Sequence, residues 1–207
     1  MYIPVFNRVA DRQKINAFIQ AHGFATVVTQ KDGALWASHL PVLLDESSSG
    51  HGTLRSHMAR ANEQWQHFKL EQEVLCIFPG PHAYISPSWY VAQHTVPTWN
   101  YAAVHVYGVA KIVDDVALKK IVLDTTQKYE SPMPTPWKIP LSEEELVAMC
   151  KAIVGFSIEI THVEAKFKLG QNRSCEDQEK MLRALQNAPD SGSRELAEFI
   201  ARERADR

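Results

Sequence analysis

Between Asp11 and Gly23 the residues Ile15, Phe18, Ile19 and His22 recur at helical spacing, with Asp11 placed to cap the helix and Gly23 to stop it. The pattern then shifts to short β-like runs at 25–29, 35–40 and 52–57. Lys31-Asp32-Gly33 between the first two is a hairpin signal, because glycine tolerates positive φ. Asn62 is placed to cap a short helical turn carrying Trp65 and Phe68. Further strands are predicted at 74–78, 83–86 and 104–113, with Pro79-Gly80-Pro81 separating the first two.

Asp114 or Asp115 opens a second helix, with Leu118, Ile121, Val122 and Thr125 on one face. Pro132, Pro134, Pro136 and Pro140 then forbid helix and leave a stiff loop around Trp137. Ser142 and Glu145 form a capping-box signature for a third helix, with Leu146, Met149, Cys150, Ile153 and Val154 predicted inward. From Phe156 to Phe167 the residues alternate, but Phe156, Ile158 and Ile160 are out of phase with Val163, Ala165 and Phe167. A strand containing a bulge accounts for that switch. Helices after Ser174 and Ser193 close the chain. Many short strands with helices at their edges predict a mainly β fold with α additions, a small barrel or sandwich. No GxGxxG follows a strand and no GxxxxGK[ST] occurs, which excludes the common nucleotide-binding βαβ folds.

Composition narrows the class. The 207 residues are 45% hydrophobic and 22% charged, enough for a sizeable core, with a formal net charge of -2. A protein built to clamp nucleic-acid phosphates carries a clear basic excess, which is missing here. The stretch Asn172 to Arg207 holds seven Lys or Arg and eight Asp or Glu, so its helices form no basic recognition surface. Cys76, Cys150 and Cys175 are far apart with no CxxC pair, as in a reduced cytoplasm. The apolar runs are too short to span a bilayer, and the N-terminus reads as no secretory signal. A soluble cytoplasmic protein is expected, with no membrane partner.

Two blocks can carry chemistry. Arg55-Ser56-His57-Met58-Ala59-Arg60-Ala61-Asn62 places two guanidiniums, a hydroxyl, an imidazole and an amide at one strand end. Such donors suit a phosphate dianion; the other reading is a solvated strand end whose arginines bridge surface carboxylates. The segments Gly80 to Tyr90 and Val96 to Tyr101 interleave aromatics with small polar groups and prolines. They can wall a flat aromatic ligand, or form an aromatic core under a loop, or a dimer interface. Nine histidines invite a metal, but no His-Glu-x-x-His occurs and the cysteines lack zinc-site spacing. No metal is assigned.

Together, Met1-Tyr2-Ile3-Pro4, His39-Leu40-Pro41, His57 to Asn62, Gly80 to Tyr90, Val96 to Tyr101 with Val104-His105, and Lys168-Leu169 with Gln171-Asn172-Arg173 resemble the PaiB-type FMN-binding negative transcriptional regulators. The match runs from residue 1 to about Arg183. The sequence departs from the family pattern at Ser56 and Glu63, where Gly and Pro are expected, and at Gly170, where Ser is expected. The resemblance implies an FMN-binding split β-barrel flanked by helices. It divides the chain into residues 1–170, a split-barrel domain with inserted helices, and 171–207, a C-terminal helical extension. It also implies a homodimer with FMN near the subunit interface.

Carried onto this chain, the resemblance puts Ser38, His39 and Leu40 under the flavin and ribityl chain, and Ser56, His57, Met58, Arg60 and Asn62 at the phosphate. Tyr84 and Ser86 complete the pocket, Trp99, Asn100 and Tyr101 come from the partner subunit, and Lys168, Gln171 and Asn172 also face the cofactor. No residue reads as a committed catalytic acid or base; flavin carries the chemistry and the protein orients it. The leading reading is an FMN-binding homodimer acting as a negative transcriptional regulator, with DNA contact weak or indirect. The alternatives are a flavin-dependent oxidoreductase acting on a small molecule without DNA binding, and a split barrel holding heme or another planar ligand.

Overall fold

A computed structural model describes residues 1–47, 50–70, 72–92 and 94–205. In chain order the elements are α1 (Arg12–Ala21), β1 (Phe24–Lys31), β2 (Ala34–Pro41), β3 (Leu43–Asp45), β4 (Thr53–Ala59), a 3-10 helix (Glu63–Leu70), β5 (Glu73–Ile85) and β6 (Thr98–Ile112). They continue with α2 (Asp115–Glu130), α3 (Glu143–Cys150), β7 (Ile153–Lys168), α4 (Cys175–Gln186) and α5 (Ser191–Ala205). The strands form one sheet in the order β2-β1-β5-β6-β7-β4-β3, a mainly β fold with helical additions.

Local chemistry explains most boundaries. Asp32 and Gly33 both take positive φ (51° and 81°), so a two-residue turn joins Lys31 to its partner Ala34 in the β1–β2 hairpin. Ser142 accepts from the Glu145 amide while Glu145 accepts from the Ser142 amide, closing the capping box of α3. Asp114 caps α2 and Ser174 caps α4 one way only, each side chain accepting from a single first-turn amide.

Several expectations are corrected. Pro79-Gly80-Pro81 does not break the strand: β5 runs through it. β1 pairs only with Leu75–Ile77, so on that side the two prolines have no ladder bond to lose. β6 begins at Thr98, not Val104, which moves Trp99, Asn100 and Tyr101 from a loop into a strand. In α3, Leu146 and Cys150 are buried but Met149 is exposed, and Ile153 and Val154 belong to β7. The last helix starts at Ser191, with Asp190 accepting from the Ser193 amide at 2.8 Å. The change of phase read in β7 is present. Val154, Phe156, Ile158 and Ile160 are buried in the first part, Ala165 and Phe167 in the last.

The chain divides into two compact units. The first comprises Met1–Ile15, Pro79–Val104 and Glu164–Arg207. Its core joins Ile85 and Phe167 to Met181, Leu185, Leu196 and Ile200, and Phe167 meets Phe199 edge to face at 5.1 Å. The two C-terminal helices are therefore part of this unit's core. The second comprises Asn16–Phe78 and His105–Val163. Its core holds Leu54, Met58, Phe78, Phe156 and Ile158, with Phe68 against Phe156 at 4.8 Å. There α2 and α3 make their own cluster around Leu118, Leu146 and Cys150.

Candidate functional site

The candidate residues fall into two sets, one in each unit. In the second unit Ser38 and Asn62 are brought together: the Asn62 amide donates to Ser38 Oγ at 2.8 Å. His39, on the opposite side of β2 from Ser38, shares a hydrogen bond with Thr26 at 3.0 Å and is exposed, while Leu40 is half-buried. Ser56 is buried and donates to the Pro41 carbonyl at 2.6 Å, and Met58 is core.

The guanidiniums of the proposed phosphate cluster are both engaged within the chain. Arg55 bonds the carboxylates of Asp45 and Asp124, and the hydrogen bond to Asp45 raises its pKa further. That is the carboxylate-bridging alternative of the sequence reading. Arg60 donates to the carbonyls of Lys151 and Ile153, each at 2.8 Å, and so ties the β4 turn to the start of β7. His57 lines an apolar cavity with α2 and α3, and burial lowers its pKa.

In the first unit the alternation of β5, β6 and β7 sorts the candidates by face. Asn100 points inward, is 1% exposed and donates to Met181 Sδ at 3.3 Å. Tyr84 and Trp99 point outward, 47% and 55% exposed, with their rings edge to face at 6.1 Å; His82 lies 6.2 Å from Trp99. On the same alternation stand Tyr101, with Lys166 Nζ 5.0 Å from its ring centre, and Lys168, which donates to Thr98. Burial lowers the Lys168 pKa, and the positive charges of Lys166 and Arg173 lower it further. The neighbouring carboxylates are engaged elsewhere: Glu164 holds the N-terminal ammonium and Asp177 accepts from the Val91 amide.

The other candidates here hold backbone. Ser86 caps the 3-10 turn Pro87–Trp89 and shares a bond with Ser88 at 2.8 Å. Gln171 donates to the Phe167 carbonyl and accepts from the Leu169 amide, while Asn172 is exposed. Gly170, where the family pattern has Ser, takes φ +81°, a conformation that side chains rarely adopt. Lys166 and His82, which the sequence reading did not single out as candidates, stand beside Lys168 and Tyr84 on the same strand faces. The signal for these two is period-two placement: His82 and Tyr84 are two apart on β5, and Lys166 and Lys168 two apart on β7.

Lys166 also donates to the Tyr2 carbonyl at 3.0 Å and is buried, which leaves half-buried Lys168, bonded to Thr98, as the cation beside the exposed rings. Aromatic rings beside an ammonium match a flat ring system carrying a phosphate, so the donor chemistry here fits a flavin mononucleotide. Among the described residues, no three His, Cys, Asp or Glu side chains group as metal ligands, and no helix is long and apolar enough to cross a membrane.

The fold, together with the family pattern it carries, defines an FMN-binding split-barrel protein. The chain belongs to the family described as "Putative FMN-binding domain", whose pattern matches residues 1–162. It is 38% identical to the protease synthase and sporulation protein PAI 2 of Bacillus subtilis (strain 168), over 97% of this chain and 96% of that protein. Among solved structures, the flavocytochrome Anf3 from Azotobacter vinelandii superimposes with a TM-score of 0.61 at 13% identity, covering 83% of this chain and 74% of that one. The FAD and heme binding protein from Mycobacterium smegmatis gives 0.60 at 11% identity, covering 83% and 78%. At those identities the likeness is one of fold.

Proposed function

We propose that the protein is an FMN-dependent homodimer of the reducing cytoplasm that acts as a negative regulator without reading DNA bases itself. The observation that carries the flavin assignment is the pair of exposed rings Tyr84 and Trp99 in the first unit, on the side of the strands where half-buried Tyr101 and Lys168 also stand. In this reading the rings pack on the cofactor's flat system, while Lys168, held near Thr98 by its hydrogen bond, offers charge to the phosphate. Within the first unit, Ser86 and Gln171 fix the local backbone, as Ser56, Arg60 and Asn62 do within the second. Bound FMN supplies one- and two-electron redox chemistry. The exposed aromatics are also interface-type residues, which supports pairing of two copies. The regulatory role rests on the similarity to PAI 2, and the balanced charge supports indirect action.

The test compares two ligands that differ only in the phosphate. Purified protein is titrated with FMN and with riboflavin by fluorescence quenching, for the parent chain and for Lys168→Met. Removal of a charge-assisted contact costs about 1.5–3 kcal/mol, so FMN binding should weaken about tenfold or more while riboflavin binding changes little. Equal weakening of both ligands removes Lys168 from the phosphate; absence of binding by either defeats the flavin assignment on this face.

A further inference from the structure

In the second unit, the 3-10 helix Glu63–Leu70 is tied to the β1–β2 hairpin by buried polar side chains that the flavin reading does not use. Gln64 and His67 of the helix and Thr29 of β1 are all buried. Gln64 Nε2 donates to the Val27 carbonyl at 2.9 Å and to Thr29 Oγ1 at 3.1 Å, and reaches the Trp36 carbonyl of β2 at 3.4 Å. Thr29 Oγ1 lies 2.8 Å from His67 Nδ1. The rings of His67 and Trp36 meet edge to face at 5.3 Å. One atom of the chain is left over: Gln64 Oε1 is buried without a hydrogen-bond partner.

The donors in this chain run one way. The Val27 and Trp36 carbonyls beside Nε2 fix which end of the Gln64 amide is the nitrogen, because an amide oxygen there would face both of them. Thr29 therefore accepts from Gln64, and among the described residues its own hydrogen has one acceptor, His67 Nδ1. A ring nitrogen that accepts carries no proton, so His67 is neutral and protonated at Nε2. We propose that this relay is a pH-sensitive latch between the 3-10 helix and the hairpin, closed while His67 is neutral and opened when the ring takes a second proton. Once Nδ1 carries a hydrogen it must donate to Thr29, whose hydroxyl then needs a new acceptor. The spare one is Gln64 Oε1, and it comes to Thr29 only when the amide turns over. That turn withdraws Nε2 from the Val27 and Trp36 carbonyls and sets an oxygen against them, so the links from the helix to both strands of the hairpin are lost together. The charges that face the ring come from three places. Lys31 at the end of β1 opposes its second proton, as burial does, while Asp32 in the turn and Glu63 on the helix favour it. β2 brings only the uncharged Trp36 to the ring. The latch thus opens below the ordinary histidine value of about 6.5. Its opening is felt at Ser38, because Asn62, which starts the same helix, holds that hydroxyl. The inference concerns the second unit alone and does not depend on where the flavin binds.

NMR on the full chain tests the relay and the latch separately. Long-range proton–nitrogen correlation in the parent at about pH 7.5 should show His67 protonated at Nε2 and bare at Nδ1. With 5-fluorotryptophan incorporated, the Trp36 fluorine signal is identified by its loss in Trp36→Phe. Between about pH 7.5 and 4.5 that signal should move with the same midpoint as the His67 ring, and in His67→Gln the step should be absent. Thr29→Val keeps the side-chain shape and removes the hydroxyl that favours the neutral ring, so the His67 midpoint should rise by about half a unit to one unit. The first two readouts need no change at Thr29, so they stand whether or not that variant folds. A ring protonated at Nδ1, a Trp36 signal that does not follow His67, a step that survives His67→Gln, or a midpoint in Thr29→Val at or below the parent's overturns the inference.

Discussion

Asn62 donates through its side-chain amide to Ser38 Oγ at 2.8 Å, linking the turn after β4 to the middle of the edge strand β2. The same side chain accepts from the Gln64 amide at 3.1 Å, so it also starts the 3-10 helix. Two roles on one residue give an ordering of costs. Ser38→Ala removes one hydrogen bond and should lower unfolding stability by about 1 kcal/mol. Asn62→Ala removes that bond and the cap together, and should cost about 2 kcal/mol. In urea unfolding of both single variants and the double, the double should fall no further than Asn62→Ala alone, because the shared bond is lost once. Additive losses would show that the two side chains act separately.

The parts of this fold that were legible in the sequence are those whose causes are local. The Asp32-Gly33 turn needs two residues that tolerate positive φ, and the Ser142–Glu145 box needs two side chains three positions apart. The strand through Pro79 and Pro81 was illegible for the opposite reason: whether a missing N–H matters depends on where the neighbouring strand stops. The candidate site divides the same way. Trp99 and Tyr84 were singled out because aromatics among prolines are conspicuous, and both are exposed. Asn100, beside them in sequence, turned inward to Met181, a partner 81 residues away. For Arg55 and Arg60 the sequence left a phosphate and bridged surface acceptors open, because the acceptors, Asp124 and the Lys151 and Ile153 carbonyls, come from distant segments.

Stability should fall in mild acid, through two histidines. Burial lowers the pKa of His57, and burial together with the charge of Lys31 lowers that of His67, which is bonded to Thr29 at 2.8 Å. Both therefore take up a proton more readily in the unfolded chain than in the folded one. Their contribution is whole well above the ordinary histidine value near 6.5 and is lost as pH falls through it toward the folded values. Each such proton steepens the dependence by at most about 1.4 kcal/mol per pH unit. Urea midpoints between pH 7.5 and 5 should decline for the parent and decline less steeply for His57→Phe and for His67→Gln. Parallel slopes in parent and variants would refute the assignment to these rings.

Trp99 tests whether pairing and flavin binding share a surface. It is 55% exposed in the single chain and lies against Tyr84 and His82. Large exposed rings of this kind carry much of an interface, and truncation of one commonly costs 2 kcal/mol or more, roughly thirtyfold in affinity. Light scattering at micromolar concentration should give twice the 23.4 kDa chain mass for the parent. Trp99→Ala should shift the chain toward monomer and weaken FMN together. Loss of one property with the other intact separates the two surfaces.

The last expectation concerns DNA, because a regulator need not itself grip the duplex. The strongest case for direct binding is a local basic face of Lys119, Lys120, Lys128 and Lys138 hidden within a net charge of -2. The structure of the second unit weakens that case. Lys119 pairs with Glu143, Lys120 pairs with Asp124, and Lys128 is half-buried with a pKa lowered by that burial. At the chain's end, Arg204 is bonded to Gln178 in a helix pair whose charges balance. A specific binder that neutralises six or more phosphates loses on the order of a thousandfold in affinity between 50 and 200 mM salt. Fluorescence anisotropy on promoter fragments, at those two salt concentrations and with excess competitor duplex, should show weak binding that competitor removes. Nanomolar, competitor-resistant binding with a steep salt slope would establish direct repression. Weak binding together with flavin reduction by a small-molecule donor would favour the oxidoreductase reading, in which any effect on transcription follows from the chemistry of the flavin.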